Sequence, residues 1–340
     1  MAFQNVGTPR FFVNDALFCI KSGYGLDDIA VYDDSATTEL NETIFEMNPS
    51  YQITKSRNYG YIIAPRSNTL NYIAYLGHTF ATSGTTVYNF ASTGELYGDN
   101  GNVNFPISGS NQSPEYDGFS LHLFAPADTN IYIVFNGSQL ATSSTKLGAI
   151  SVGKYYDMKN APNLALTLSR EGGTKETTAY NGGSYSNTFW SSPPKWGNLG
   201  AWELSDPTAA DYNYQIATQA LSRSGRKIWQ LSFSYMDDGD LWGSNQSLAT
   251  SEWGSQTFTD TDDDLSDTNE FNENLLTDDN FFSQVWVKTL SGTLSFIFQP
   301  DANNNSPDQF ALCKFRNNSL KAIRSSPNTF DISLTIEEVW

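Results

Sequence analysis

The chain has 340 residues, 39% of them hydrophobic and 14% aromatic, and carries a formal net charge of -18. That hydrophobic fraction is enough to bury real cores, and the length favours two domains over one. A chain this acidic repels a phosphate backbone, which excludes sequence-specific nucleic-acid binding as its task.

Residues 1–28 read as an N-terminal arm. Its apolar side chains, Phe11, Phe12 and Val13 and then Ala16, Leu17, Phe18 and Ile20, are too many to hang in water. Because the arm precedes every strand of the first domain, a neighbouring subunit is the expected surface for Phe11, Phe12 and Val13. Short alternating runs follow at 59–64, 72–76, 86–90, 119–124 and 131–135, each bounded by Gly, Asn, Ser or Pro. Their spacing predicts a jelly-roll-like β-sandwich over 29–147. His78, after Gly77, reads as a tight backbone approach at a strand exit; with His122 inside a strand and no carboxylate at ligand spacing, the two histidines make no metal site.

The Ser/Thr run before residue 147 marks a boundary, after which strands resume and run to the C-terminus at 340. A long loop holds Trp190, Trp196 and Trp202 around a Pro193-Pro194 pair. Aromatic side chains in a loop of that length match interface cores, so these three join the arm as contact candidates. The run 223–236 is the cleanest strand, with Trp229, Leu231, Phe233 and Tyr235 on one face. From Asp237 to Asp279 every charged side chain is a carboxylate, and 237–276 reads as an acidic insertion without regular structure.

At 278–290 the grammar changes. Asp278, Asp279 and Asn280 supply a cap and negative charge, and Phe282, Val285, Trp286 and Leu290 fall at helical spacing, which predicts one amphipathic α-helix of about ten residues. Ser291 and Gly292 break it, and a strand bearing Phe296 and Phe298 runs to Pro300. Trp229, Phe282, Trp286, Phe296 and Phe298 are the predicted core. The last strand puts Ile332, Leu334, Ile336 and Glu338 on one face.

The fold class is therefore all-β for the most part: a sandwich over 29–147, then a β-barrel over 148–340 with one flanking helix. Chemistry is sparse. Asp260, Asp262 and Asp264 faintly resemble a calcium loop, yet Leu265 stands where the sharp turn needs Gly and Phe271 where the closing Glu belongs. Glu337 and Glu338 point to opposite faces of a strand and cannot pair as glycosidase carboxylates. Cys19 and Cys313, each in an apolar run, read as small buried hydrophobes. Nothing in the sequence calls for a cofactor, no run reaches membrane-spanning length, and no secretion signal opens the chain.

Five phrases, VGTPRFFVND, NYIAYLGH, SRSGRKIWQLSFSYM, FFSQVWVKTLSGTLSFIFQPDANNNSPDQFALCKF and ISLTIEEVW, together resemble virion structural proteins of tailed bacteriophages, marine ones especially. The resemblance implies a galactose-binding-like first domain and a second domain similar to the barrel-plus-helix module of tail-tube and distal tail (baseplate adaptor) proteins. It implies a ring of six or three copies on the tail axis, contacts with other tail and baseplate proteins, and assembly in the host cytoplasm into the virion. A second reading is a host-glycan or receptor-binding module on the same particle, with Tyr75, Trp190 or Trp196 stacking on sugar. A third, a secreted glycan-active enzyme, lacks both the signal and the carboxylate pair it would need.

Overall fold

The computed structural model describes residues 7–23, 29–33, 42–47, 53–54, 59–63, 70–78, 86–92, 118–127, 130–136, 146–164, 167–171, 174–188, 226–242, 278–305 and 309–339. The first half comprises β1 (Arg10–Val13), α1 (Asp15–Ser22), β2 (Ile29–Asp33), a 3-10 turn (Glu42–Phe45), β3 (Ile53–Thr54), β4 (Tyr59–Ile63), β5 (Leu70–His78), β6 (Thr86–Ser92), β7 (Gly118–Ala127), β8 (Asn130–Asn136) and β9 (Lys146–Leu147). Then come β10 (Ala149–Gly153), β11 (Tyr155–Asp157), β12 (Thr167–Glu171), β13 (Thr174–Thr178), β14 (Ser184–Thr188), β15 (Arg226–Asp237) and α2 (Asp238–Leu241). A π-helix (Phe282–Val287) precedes β16 (Phe296–Gln299), β17 (Ala311–Phe315), β18 (Ala322–Ser326) and β19 (Thr329–Glu338).

The protein is mostly β. Its largest sheet runs β11-β1-β16-β17-β19-β15-β12, with β18 also paired to β19; smaller sheets are β10-β5-β7, β2-β4-β8-β6, β3-β9 and the hairpin β13-β14. Every pairing is antiparallel. The large sheet is open among the described residues: β11 and β12 lie at its two ends and do not pair with each other. The closed barrel expected from the sequence is therefore absent from this sheet.

The arm is the main correction. Phe11, Phe12 and Val13 do not wait for a neighbour, because β1 lies between β11 and β16 and all three are at most 1% exposed. Phe11 packs against Phe281, Phe296 and Phe298, and Phe12 meets Tyr72 edge-on at 5.1 Å. Strand edges are hungry for main-chain partners, and an apolar β-run at the N-terminus satisfies both needs by entering its own sheet. The boundary expected at 147/148 is bridged in the same way. β10 pairs with β5 over Ala149↔Leu76 to Gly153↔Tyr72, and Tyr72, Ala74 and Leu76 share one core with the large sheet.

A helix also forms inside the expected arm. Asn14 caps α1, its side chain accepting from Leu17 N at 3.2 Å; Asp15 lies in the first turn, Lys21 in the last, and Gly23 ends it at φ 73. Asn14 is buried and its amide also donates to the carbonyls of Phe45 and Ile150, which fixes α1 against β10 and the 3-10 turn.

In β15, Trp229, Leu231 and Phe233 point inward as the alternation requires, but Tyr235 does not. A bulge between Phe233 and Met236 puts Tyr235 at φ 58, turns its side chain out to 71% exposure and brings Met236 into the core. One extra residue reverses every later side chain of a strand. The regular structure also runs past 237, the expected start of the acidic insertion: Asp237 still pairs with Thr329, and Leu241 of α2 is fully buried.

In place of the α-helix of about ten residues expected at 278–290 there is a π-helix of six residues, Phe282–Val287. Asn280 accepts from Ser283 N at 2.8 Å at its start, and past its end Ser291 N donates to Trp286 O and Leu290 N to Val287 O, the paired bonds of a Schellman stop. Leu290, Ser291 and Gly292 then run consecutively at positive φ, 49, 57 and 84. The buried Thr289 hydroxyl ties this turn, bonding Trp286 O and accepting from Gly292 N. The strand that follows is only four residues long, Phe296–Gln299. In β19, Ile332, Leu334, Ile336 and Glu338 are all buried, and Glu338 accepts from Lys227 N at 2.9 Å.

Candidate functional site

The interior of the large sheet is aromatic. Trp229, Trp286, Phe296 and Phe298 are buried, and Phe282 is half-buried at the core's margin. Trp286 and Phe296 do not stack directly; both pack on Phe315, at 5.5 and 4.7 Å between ring centroids.

One polar cluster is buried beside it and a second lies at its partly exposed margin. In the first, Lys288, 2% exposed at its side chain, lies 3.0 Å from Asp15 Oδ1 at an angle that aligns no hydrogen bond, so the contact is electrostatic. Tyr72 lies nearby, its hydroxyl 2.9 Å from Ser151 Oγ, and burial pushes the phenol far above its ordinary range. This cluster fastens α1 to the end of the π-helix. A buried cation and carboxylate already spent on each other offer nothing to a substrate, and the phenol there stays protonated. In the second, Arg10 grips Asp157 through Nε and Nη2 at 2.5 and 2.8 Å, with Tyr155's ring 4.2 Å from its guanidinium. The hydrogen bond to Asp157 raises the Arg10 pKa. Beside it Lys154 and Lys159 converge on Asp279, at 3.0 and 3.5 Å. Burial pushes the Asp279 carboxyl up, and Lys154 followed by Lys159 outweighs it, so the acid sits below the ordinary carboxylate value.

No group of three or more His, Cys, Asp or Glu side chains that could hold a metal occurs among the described residues. His122 is half-buried beside Tyr75, and burial lowers its pKa to about 4. Tyr75 is 1% exposed, so it cannot stack on a sugar, which corrects the role expected for it. Both cysteines are free; Cys313 is buried in β17. Glu337 and Glu338 do face apart, Glu337 toward Arg316 at 3.8 Å. Trp190, Trp196, Trp202, Asp260, Asp262 and Asp264 lie outside the described residues.

What the structure offers to other molecules is surface. Among the described residues the hairpin β13-β14 pairs with no other strand; it turns at Gly182 (φ 80), with Tyr180 at 109% and Tyr185 at 68% exposure. β18 is also exposed: among the described residues it pairs only with β19, and Ile323 is 57% exposed. The one mark of this edge in the sequence is a pair of cations, Lys321 and Arg324, in a segment with no apolar alternation.

Comparison with known proteins adds no relative: no family model matches the chain, and neither a curated protein nor a solved structure matches it.

Proposed function

We propose that this chain is a structural subunit of a bacteriophage tail or baseplate, a distal-tail or tail-tube-like component that assembles with its own copies, six or three to a ring, as part of the conduit for DNA ejection. The observation that supports this reading is the convergence of the five phrases behind the resemblance. They contribute β1, β5, β15, the π-helix, β16, β17 and β19, and these elements share one hydrophobic core. The phrases are mutual packing partners, so the likeness is one of fold, and the function proposed rests on fold-level analogy.

On this reading the large sheet with its π-helix is the counterpart of the tail-tube module, opened out rather than closed, and the sheets formed by β2 to β10 are the counterpart of the galactose-binding-like sandwich. Open strand ends suit a subunit whose neighbours complete its sheets. A net charge of -18 suits a conduit that must not hold passing DNA. The glycan-binding alternative loses Tyr75 as a stacking platform. The test is electron microscopy of particles carrying a label at the C-terminus of this protein. Label in rotationally repeated positions on the tail axis is the expected result; label on the head, on lateral fibres or nowhere on the particle overturns the reading.

A further inference from the structure

The acidity of this chain has a local exception. Between Asp308 and Asp331 the sequence holds Lys314, Arg316, Lys321 and Arg324 and no carboxylate. The structure divides that stretch: Lys314 lies in the interior strand β17, opposite Glu337, and only the second half, with β18, runs along an exposed edge. β18 pairs with β19 through Ala322↔Ile332, Ile323↔Asp331 and Arg324↔Phe330, and its other side meets no strand among the described residues. Lys321 and Arg324 are exposed on either side of the exposed Ile323. Arg316 faces Glu337, whereas Arg324 bonds only a carbonyl of its own strand, Ser326 O at 3.4 Å.

We propose that the outer edge of β18 is a docking strand for a second copy of this chain, received on a carboxylate-bearing surface of that copy. An unpaired strand edge is a template for another chain. Charged side chains usually guard such an edge by repelling copies of the same protein. Here the guard has the wrong sign: on a chain of net charge -18, two exposed cations flanking an isoleucine attract the acidic surface of the next copy. The contact joins two different patches, so it is head-to-tail, the kind that closes rings or extends filaments. The inference rests on the reading of this protein as a self-assembling subunit, and names the surface.

The experiment is sedimentation velocity of the intact purified protein in about 0.05 M and about 1 M salt, where charge attraction is respectively strong and screened. Wild type is expected to associate in low salt and to loosen in high salt. Lys321→Gln with Arg324→Gln should weaken low-salt association by about tenfold or more and remove its salt dependence. A control variant, Asn181→Asp with Ser186→Asp on the exposed hairpin, adds the same negative charge and should associate as wild type does. Circular dichroism and Tm verify that each variant folds; Lys321→Gln alone, expected to be intermediate, serves if the pair does not. Association unchanged in the β18 variant, or lost equally in the control, overturns this edge and leaves the tail reading to the labelling experiment. A wild type that stays monomeric at both salts overturns the edge as well. So does a monomeric wild type that retards duplex DNA where the β18 variant does not, which would make this a nucleic-acid contact.

Discussion

Lys288 and Asp15 are the residues on which the joint between α1 and the π-helix turns. Removing one partner strands a charge in a site 2% exposed at the lysine, so Lys288→Met should destabilise by about 3–5 kcal/mol, while pairing it with Asp15→Leu should recover most of the loss. Chemical denaturation of both variants and the double variant checks this. His122 sets a pH dependence. Burial lowers its folded pKa to about 4, against about 6.5 when unfolded, so the unfolded chain binds the extra proton between these values. The associated stability is whole above pH 6.5 and is lost as pH falls toward 4, by up to about 3 kcal/mol. His122→Gln should therefore lose less stability than wild type between pH 7 and pH 4.5, read as the difference in unfolding midpoints; equal losses would refute it. Asp279 acts in the same direction at lower pH, since its depressed carboxyl favours the fold until the acid is protonated.

The π-helix and the turn after it form the element most exposed to backbone strain. Ser291 is exposed at φ 57 and Gly292 at φ 84 lies where a Cβ would come within 2.9 Å of Phe315 Cβ. The two positions should respond oppositely to similar changes. Ser291→Gly relieves a left-handed conformation and should gain about 0.5–1 kcal/mol, whereas Gly292→Ala adds both strain and a clash and should lose about 2 kcal/mol or more. In the same element Trp286→Ala opens a void against Phe315 and should cost about 3–5 kcal/mol. The midpoint of denaturant unfolding reads all three.

At the scale of the whole molecule, the arm decides whether the protein folds at all. β1 is an interior strand of the largest sheet, and Phe11, Phe12 and Val13 each bury about 1.5–3 kcal/mol of apolar surface. Against a total stability of about 5–15 kcal/mol, removing them together with two ladders of hydrogen bonds leaves too little. Deleting residues 1–13 should give a chain without near-UV circular dichroism or a cooperative melt. A truncated chain that folds and fails only to assemble would restore the arm to the interface role expected from sequence.

Class and local pattern were legible in the amino-acid sequence by itself. The alternation of β19, the inward Trp229, Leu231 and Phe233, the cap at Asn280 and the break at Gly292 depend on side-chain period and backbone preference, which neighbours along the chain fix. The tertiary structure alone decided where distant edges meet. Nothing local to RFFV says that it enters between β11 and β16, or that β10 crosses to β5, since strand pairing is a contest among all edges and the winner depends on the whole set. The bulge that turns Tyr235 outward is of the same kind: it inserts one residue against the strand period and brings Met236 into the core. The cations of β18 were equally visible as letters. Only their placement on an open edge gave them a meaning, because charge in a sequence has no direction until a fold assigns it a surface.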